Sequence, residues 1–343
     1  GDEDVFRFAG KAGSEFIAEI FARRLSSPLD SVLKLTDATG RQLAFNDDYE
    51  DKGAGLTTHH ADSRLSVTLP ADGAYYVRVA DAQHRGGPEF GYRLRVGPPR
   101  PDFELRVVPS TINARAGTHV PITVYALRRD GFNGEIALGL RDAPRGFALS
   151  GARIPANQDK VPLTLAVPPV PHDEPFELAV VGLATIQGRT VAHTAAPAED
   201  MMQAFFYRHL VPVKQLMVNV AGRGGNCRVL TRVPLRIPAG GTARIEIATP
   251  SARGLGKVQL ELASPPEGIT VQSSSVRGEV VSIVLACDAA KAKPGLQGNL
   301  ILSAVGERTN TKQQKKQPTV QRVPLGSVPA IAFEVVAGRA PAT

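Results

Sequence analysis

The sequence has no tryptophan, two cysteines and no long apolar run, and each shortage excludes a class of protein. No stretch of 18 or more apolar residues occurs, so the sequence predicts no membrane span. Without tryptophan, the Cys…Trp…Cys core of antibody domains cannot form. The cysteines show neither Cys-x-x-Cys spacing nor a nearby histidine cluster, so no zinc or dithiol redox centre is indicated.

Motifs of common enzymes are also missing. The sequence has no Gly-x-Ser-x-Gly, no His-Glu-x-x-His and no Gly-x-x-x-x-Gly-Lys-Ser/Thr. Gly222–Cys227 has two glycines in dinucleotide spacing but no third, which favours a loop. His59, His60 and Asp62 could bind a transition metal, but adjacent histidines on a strand face opposite ways, so we favour a polar loop. We therefore predict no catalytic residues, although scattered side chains could still converge in space.

Short segments of alternating apolar and polar residues fill the chain instead, and its 33 glycines and 27 prolines separate them. Residues 65–70, 73–79 and 91–96 are examples. This period of two is typical of antiparallel strands with one buried face. The sequence therefore predicts an all-β protein of three tandem β-sandwich domains with almost no helix.

The first hundred residues carry four such pieces in a characteristic order. They are D-x-x-L-x-L-x-D-x-x-G from Asp30, NDD from Asn46, LP-x-x-G-x-Y-Y-V-x-V from Leu69, and G-Y-x-L-x-V from Gly91. This order resembles the bacterial pre-peptidase C-terminal domain, a small secreted, jelly-roll-like β-sandwich similar to the collagen-binding domains of clostridial collagenases. The resemblance covers residues 2–97 and implies an extracellular accessory module.

Composition divides the rest of the chain. The segment Gly97-Pro-Pro-Arg-Pro101 breaks regular structure, because each proline fixes φ and removes a hydrogen-bond donor. Strand-like pieces every 8–15 residues then predict two immunoglobulin-like sandwiches, at residues 102–218 and 219–338. Between Gln203 and Leu210 either a helix or a strand fits, and the surrounding strands favour a strand.

An acidic set of residues in the first predicted domain could bind Ca²⁺, which takes six to eight oxygen ligands. The resemblance to collagen-binding domains implies a site between the acidic start of the domain and its acidic loops. The candidate ligands are Asp2, Glu3, Asp4, Asp30, Asp47 and Asp48. The alternative is that Asp48 closes a turn and that the acidic loop is only solvated. Calcium is the only cofactor that the sequence suggests.

Tyr76 is the candidate ligand-binding residue. Tyr75 and Tyr76 are adjacent on a predicted strand, so one faces the core and the other faces out. Tyr76 alternates with Arg78, which makes Tyr76 the outward one. The resemblance implies a ligand contact, because related collagen-binding modules use exposed tyrosines, whereas an ordinary cross-strand neighbour of Arg78 is the alternative.

The two cysteines, Cys227 and Cys287, both fall in the last predicted domain. An even pair within one domain suits a secreted protein with one disulfide, which we predict. Two buried free thiols are the alternative.

Positive charge is concentrated in residues 219–343, which carry 16 Lys and Arg against 7 Asp and Glu. A soluble domain that happens to be basic explains this excess, and attraction to a polyanionic surface is the sharper hypothesis. We expect the partners to be extracellular proteins or polysaccharides, with no nucleic acid.

The sequence thus predicts a non-catalytic binding, targeting or assembly module of a larger secreted bacterial protein. We expect it to be secreted, periplasmic or at the cell surface. The alternatives are an accessory region of a secreted peptidase or other hydrolase with an unrecognised site, and a purely structural stalk.

Overall fold

A computed structural model of the chain describes residues 2–49, 62–202, 208–250, 258–310 and 319–338. These residues form 29 strands and one 3₁₀ turn (Arg23–Leu25), with no α-helix among them. The predicted all-β fold of packed sheets is therefore confirmed. In this described part, no helix has the length and apolar character needed to cross a membrane.

The chain forms two compact units. The first contains Gly1–Asp102, Arg128–Phe132 and Asp200–Val211, and the second contains Phe103–Leu127, Asn133–Glu199 and Pro212–Thr343. The separation of residues 102–218 from 219–338 stays a prediction.

Two sheets pack face to face in the first unit. Its strands are β1 (Glu3–Gly10), β2 (Glu15–Phe21), β3 (Ser31–Asp37), β4 (Gln42–Asn46), β5 (Arg64–Thr68), β6 (Gly73–Asp81) and β7 (Arg93–Gly97). One sheet has the order β1-β6-β3-β4 and the other β5-β2-β7, and the neighbouring strands in both sheets are antiparallel. Phe16, Ile20, Leu33, Leu35 and Val77 form the centre of the core between them.

The sequence pieces that define this unit have local structural causes. Asp37 accepts hydrogen bonds from the backbone amides of Thr39 (2.9 Å) and Arg41 (3.0 Å), which tightens the β3–β4 turn. Gly40 ends that turn with φ at +86°, a conformation that favours glycine. Tyr75 is buried and donates its hydroxyl to the Ala71 carbonyl across 2.5 Å, which fixes the turn before β6.

The next thirteen strands follow without a helix. They are β8 (Asp102–Val108), β9 (Thr111–Ala116), β10 (His119–Arg129), β11 (Ile136–Arg141), β12 (Ala148–Ser150), β13 (Arg153–Ile154), β14 (Lys160–Ala166), β15 (Phe176–Glu177), β16 (Ala179–Ile186), β17 (Arg189–Thr194), β18 (Ala196–Met202), β19 (Arg208–Pro212) and β20 (Met217–Arg223). They form sheets of order β12-β14-β10-β8-β18-β19, β13-β11-β16-β17 and β15-β20-β9. Residues 203–207 of the predicted strand at 203–210 lie outside the described residues, and β19 covers the rest.

The last nine strands form two further sheets around one core. They are β21 (Arg228–Val229), β22 (Leu235–Pro238), β23 (Thr242–Ala248), β24 (Val258–Ala263), β25 (Ile269–Arg277), β26 (Val280–Cys287), β27 (Gln297–Asn310), β28 (Thr319–Ser327) and β29 (Ile331–Val336). The orders are β21-β23-β26-β25 and β22-β29-β27-β24, and β28 pairs with β27. Ile245, Ile283, Leu285, Leu300 and Phe333 lie in the shared core.

A buried amide joins parts of the second unit that are far apart in sequence. Asn299 on β27 is 7% exposed and donates to the carbonyls of Gly151 (2.7 Å) and Pro162 (2.9 Å). The Ala330 amide donates to the Thr164 hydroxyl at 2.8 Å. These bonds satisfy backbone groups that would otherwise be buried without a partner.

Candidate functional site

The outer face of the β1-β6-β3-β4 sheet presents aromatic, apolar and cationic side chains together. Directly paired residues of antiparallel strands point to the same face. Val5, Arg78, Lys34 and Phe45 therefore form one row across the four strands, and Arg7, Tyr76 and Thr36 form the next. The first row spans about 14 Å, three strand spacings. We call this surface the outer face of the first sheet.

Two large apolar side chains on this face are exposed to solvent. Val5 is 47% and Phe45 is 51% exposed. Arg78 is paired at 2.8 Å with Glu3, so one acid partly offsets the positive charge. Tyr76 is half-buried among these residues, whereas Tyr75 is only 2% exposed and faces the core. Tyr75 therefore faces the core and Tyr76 faces outward, as the alternation of the sequence predicts.

Two of the six predicted calcium ligands, Glu3 and Asp4, point to opposite sides of the sheet. Glu3 points to the outer face, where it pairs with Arg78. Asp4 has the opposite parity on β1 and accepts a hydrogen bond from the Tyr92 hydroxyl at 2.5 Å. Asp2 and Asp4 line a cleft of about 240 Å³ together with Asp81, Arg85 and Tyr92. Burial and the hydrogen bond to Asp4 raise the pKa of Tyr92, so the phenol stays protonated.

Asp30 lies near two other acids, Asp48 and Asp81, and near two arginines, Arg23 and Arg85. Its pKa is raised mainly by burial and then by repulsion from Asp48 and Asp81. The neighbouring Asp81 behaves in the opposite way. Burial alone would raise its pKa, but hydrogen bonds from the Arg85 side chain and from the amides of Asp30, Arg85 and Gln83 hold the pKa of Asp81 well below its usual range.

The loop after β4 is closed by turn chemistry. Asn46 donates to the Asp48 carbonyl at 2.8 Å and accepts from the Arg64 amide at 2.8 Å. Asp47 and Asp48 are exposed beside it. Asn46 therefore makes the loop-closing bond that the sequence suggested for Asp48.

No group of three or more His, Cys, Asp or Glu side chains that could hold a metal ion occurs within the described ranges. Asp30 interacts electrostatically with Asp48 of the predicted set and with Asp81, whose carboxylate is already engaged by nitrogen donors. Calcium binding stays a prediction. His59 and His60 lie outside the described residues.

Asp81 is the polar residue that the sequence reasoning overlooked. It follows Tyr75, Val77 and Val79 in the core-facing parity of β6, and its side chain is fully buried. An aspartate at a position where the alternation places core residues is a pattern that the sequence shows. Because burying a charge without partners is costly, such a residue indicates a buried hydrogen-bond network.

A chain of ion pairs crosses the other side of the first unit. Acids and arginines alternate along it in the order Asp62, Arg24, Glu19, Arg95, Asp130 and Arg64. Asp62 is 1% exposed and also accepts from the amides of Ala22 (3.0 Å) and Arg23 (2.7 Å), which holds the 3₁₀ turn. These residues are far apart in sequence, so no local pattern reveals them.

The predicted disulfide is not formed. Cys227 and Cys287 are buried free thiols. Arg228 pairs with Ala248 and Ala248 with Val280, which places Cys227 beside the start of β26, whereas Cys287 ends that strand. Seven residues of strand separate them by roughly 20 Å, and a disulfide needs Cα atoms about 4.4–6.8 Å apart.

A known family accounts for most of the first unit's sandwich. Residues 2–81 match the bacterial pre-peptidase C-terminal domain. The predicted resemblance is thus confirmed over these residues. The matched residues contain the outer face of the first sheet, Asp30 and Asp81. A probable subtilase-type serine protease from Deinococcus radiodurans is 41% identical over 80 residues. That alignment covers 23% of this chain and 10% of the protease, so the chain spans about a tenth of that relative.

Proposed function

We propose that this chain is a non-catalytic, extracellular binding or targeting region of a larger secreted bacterial protein. The pre-peptidase C-terminal domain at residues 2–81 supports this proposal, because such domains typically accompany secreted proteases without taking part in catalysis. The name of the Deinococcus relative, a probable subtilase-type protease, favours attachment to a peptidase in particular. The ligand class is an extracellular protein or a polysaccharide.

We place the binding site on the outer face of the first sheet because of its side chains. The outer face of the first sheet places exposed Phe45 and Val5 beside Tyr76, with Arg7 and Lys34 between and around them. Aromatic and arginine side chains are the residues that most often dominate binding energy at interfaces. An apolar strip bordered by cations therefore suits a ligand that is bound mainly by contact area and only partly by charge.

Binding to immobilised collagen, a polysaccharide array and whole cells tests the proposal. Tyr76→Ala and Phe45→Ala should each weaken binding by about tenfold or more. Phe6→Ala is the matched control, because Phe6 is 42% exposed but has the opposite parity on β1. Binding through this face should persist at 0.5 M salt, since area rather than charge carries it.

Equal binding by the Tyr76→Ala variant and the wild-type protein would place the site elsewhere. Turnover of a peptide, ester or glycoside by the purified chain would overturn the non-catalytic assignment. A chain that binds nothing in any of the three screens would support the structural stalk instead.

A further inference from the structure

The outer face of the β21-β23-β26-β25 sheet, in the second unit, combines arginines with hydroxyl groups. Register pairs define its rows, because paired residues of antiparallel strands share a face. From β21 to β25 the rows are Arg228–Ala248–Val280–Arg277, Glu246–Ser282–Ser275, Arg244–Val284–Ser273 and Thr242–Ala286–Thr270. We call this surface the arginine–hydroxyl face.

The opposite side of the same strands is the core. Ile245 and Ile247 of β23 and Val281, Ile283 and Leu285 of β26 are buried. The arginine–hydroxyl face is therefore the solvent side of the sheet, and its side chains are available to a ligand. Strand β25 is exposed along its length after Ile269, so no described element covers this edge.

Three arginines surround this face at well-separated positions. Arg228 and Arg277 lie at the two ends of one row, about 14 Å apart, and Arg244 lies four residues along β23, about 13 Å from that row. All three are exposed, and within the described residues no ion pair involves them. Glu246 is the one acid in the rows, and Glu279 lies in the turn beside Arg277.

The chemistry of this face matches an acidic polysaccharide. Arginine binds carboxylate and sulfate groups through paired N–H donors, and serine and threonine hydroxyls can both donate to and accept from sugar hydroxyls. The rows carry three arginines without an ion pair among the described residues and four exposed hydroxyl side chains, which suits an extended chain of sugars rather than a small ion. Residues 219–343 carry a net excess of nine positive charges, which would attract such a polymer from a distance.

Other polyanions fit this face less well. No aromatic side chain occurs in its rows, so nucleobases of a single strand have nothing on which to stack. Three arginines with a central carboxylate are few for duplex DNA, whose binding commonly involves 6–10 phosphate contacts. A membrane surface would favour an exposed apolar strip that could enter the headgroup region. The apolar residues of β26 in these rows, Val280, Val284 and Ala286, are only half-buried, and each has an arginine or a hydroxyl side chain as its neighbour on β25.

We propose that the arginine–hydroxyl face binds acidic polysaccharide, with Arg228, Arg244 and Arg277 contacting its carboxylate or sulfate groups. This inference goes beyond the proposed function, because it concerns a second surface, on another unit, with a different physical basis. Binding here should be sensitive to salt, whereas binding through Tyr76 should persist. The two proposals can therefore fail separately.

The full chain is titrated calorimetrically with a polyuronate and a sulfated glycosaminoglycan oligosaccharide at 50 and 300 mM salt. Each single Arg→Gln variant should weaken binding about two- to fivefold, and the triple variant R228Q/R244Q/R277Q at least about tenfold. The triple variant R223Q/R236Q/K293Q is the matched control, because it removes the same charge from exposed positions off this face. Glu246→Gln should strengthen binding about two- to fivefold, since it removes the central negative charge.

Several results would overturn the proposal. Equal losses in the two triple variants would mean that net charge alone attracts the polymer. No gain for Glu246→Gln, with native stability retained, would place the polymer elsewhere. Tighter binding to single-stranded DNA, duplex DNA or anionic phospholipid vesicles than to both polysaccharides would assign a different partner. Circular dichroism of each variant establishes that an observed loss is not unfolding.

Discussion

Arg64 donates a 2.6 Å hydrogen bond to Asp130, whose side chain is only 3% exposed. Arg95 contacts the other oxygen of the same carboxylate, and the Arg100 amide donates to it at 2.7 Å. Burial alone would raise the pKa of Asp130, but these donors outweigh burial and lower that pKa. Asp130 is therefore held as a charged acceptor that joins distant parts of the first unit.

Replacing Asp130 with asparagine should destabilise the first unit by about 1–3 kcal/mol. The amide cannot satisfy the same donors, and Arg64 and Arg95 lose their shared counter-charge. The loss should be smaller than for a fully buried pair, because these arginine side chains remain 16% and 22% exposed. Urea denaturation followed by fluorescence or circular dichroism measures the change.

Glu3→Gln provides the comparison for that measurement. The Glu3–Arg78 pair has a similar distance, 2.8 Å, but its side chains are 46% and 36% exposed. Water already solvates both charges, so its loss should cost less than about 1 kcal/mol. Equal effects of the two substitutions would contradict the role that burial gives to Asp130.

Local sequence patterns were sufficient for the strands and for part of the site. Alternation placed Tyr75 in the core and Tyr76 on the outer face, because side chains on a strand alternate strictly. The Asp37–Gly40 piece predicted a turn for a reason that the structure displays, a carboxylate that accepts backbone amides.

Long-range pairing was not accessible from the same patterns. Asp62 and Arg24 are 38 residues apart, and only the fold brings them together. The predicted disulfide is absent for a related reason. An even number of cysteines within one domain does not reveal that the two residues lie near opposite ends of the same strand. The separation of Glu3 from Asp4 among the candidate calcium ligands follows from strand parity, which places adjacent side chains on opposite faces.

Acid should destabilise the first unit through its depressed carboxylates. The pKa values of Asp62, Asp81 and Asp130 are all lower than in an unfolded chain. A depressed folded-state pKa means that the unfolded chain binds more protons, so stability is present above about pH 4 and is lost as pH falls below it. The raised pKa of Asp30 acts in the opposite direction.

Asp81→Asn tests this pH dependence directly. The substitution should cost about 2–4 kcal/mol at pH 7, because an amide cannot accept all the bonds made to this buried carboxylate. The difference from wild type should shrink as the pH falls below about 4, because the Asp81 carboxylate of the unfolded wild-type chain becomes protonated there while that of the folded chain stays charged. Unfolding free energies at pH 7, 5 and 3 measure it, with exposed Glu15→Gln as control. A difference independent of pH would exclude the charge of Asp81 as the cause.

The two cysteines should react as thiols only after unfolding. Both are buried, and burial raises the pKa of Cys227 to about 11, so little thiolate is available for reaction. A chromogenic thiol reagent should detect no fast-reacting group in the native chain and two groups in denaturant without reductant. Two thiols that appear only after reduction would instead establish a disulfide, and would require a different register of β21 or β26.

Calcium should stabilise the first unit if the remaining acids around Asp30 bind it. The charged form of Asp30 is disfavoured by burial and by Asp48 and Asp81, and a bound divalent cation would relieve that repulsion. Calcium at 100 times its dissociation constant would add about 2.7 kcal/mol, a shift of several degrees in the melting temperature. Asp30→Asn should abolish the calcium response and should also stabilise the calcium-free chain near neutral pH. Asp72→Asn, an exposed acid that accepts the Ala12 amide, should leave the response intact. Superimposable melts in calcium and in chelator would contradict the prediction, and would leave Asp47 and Asp48 as residues of the loop that Asn46 closes.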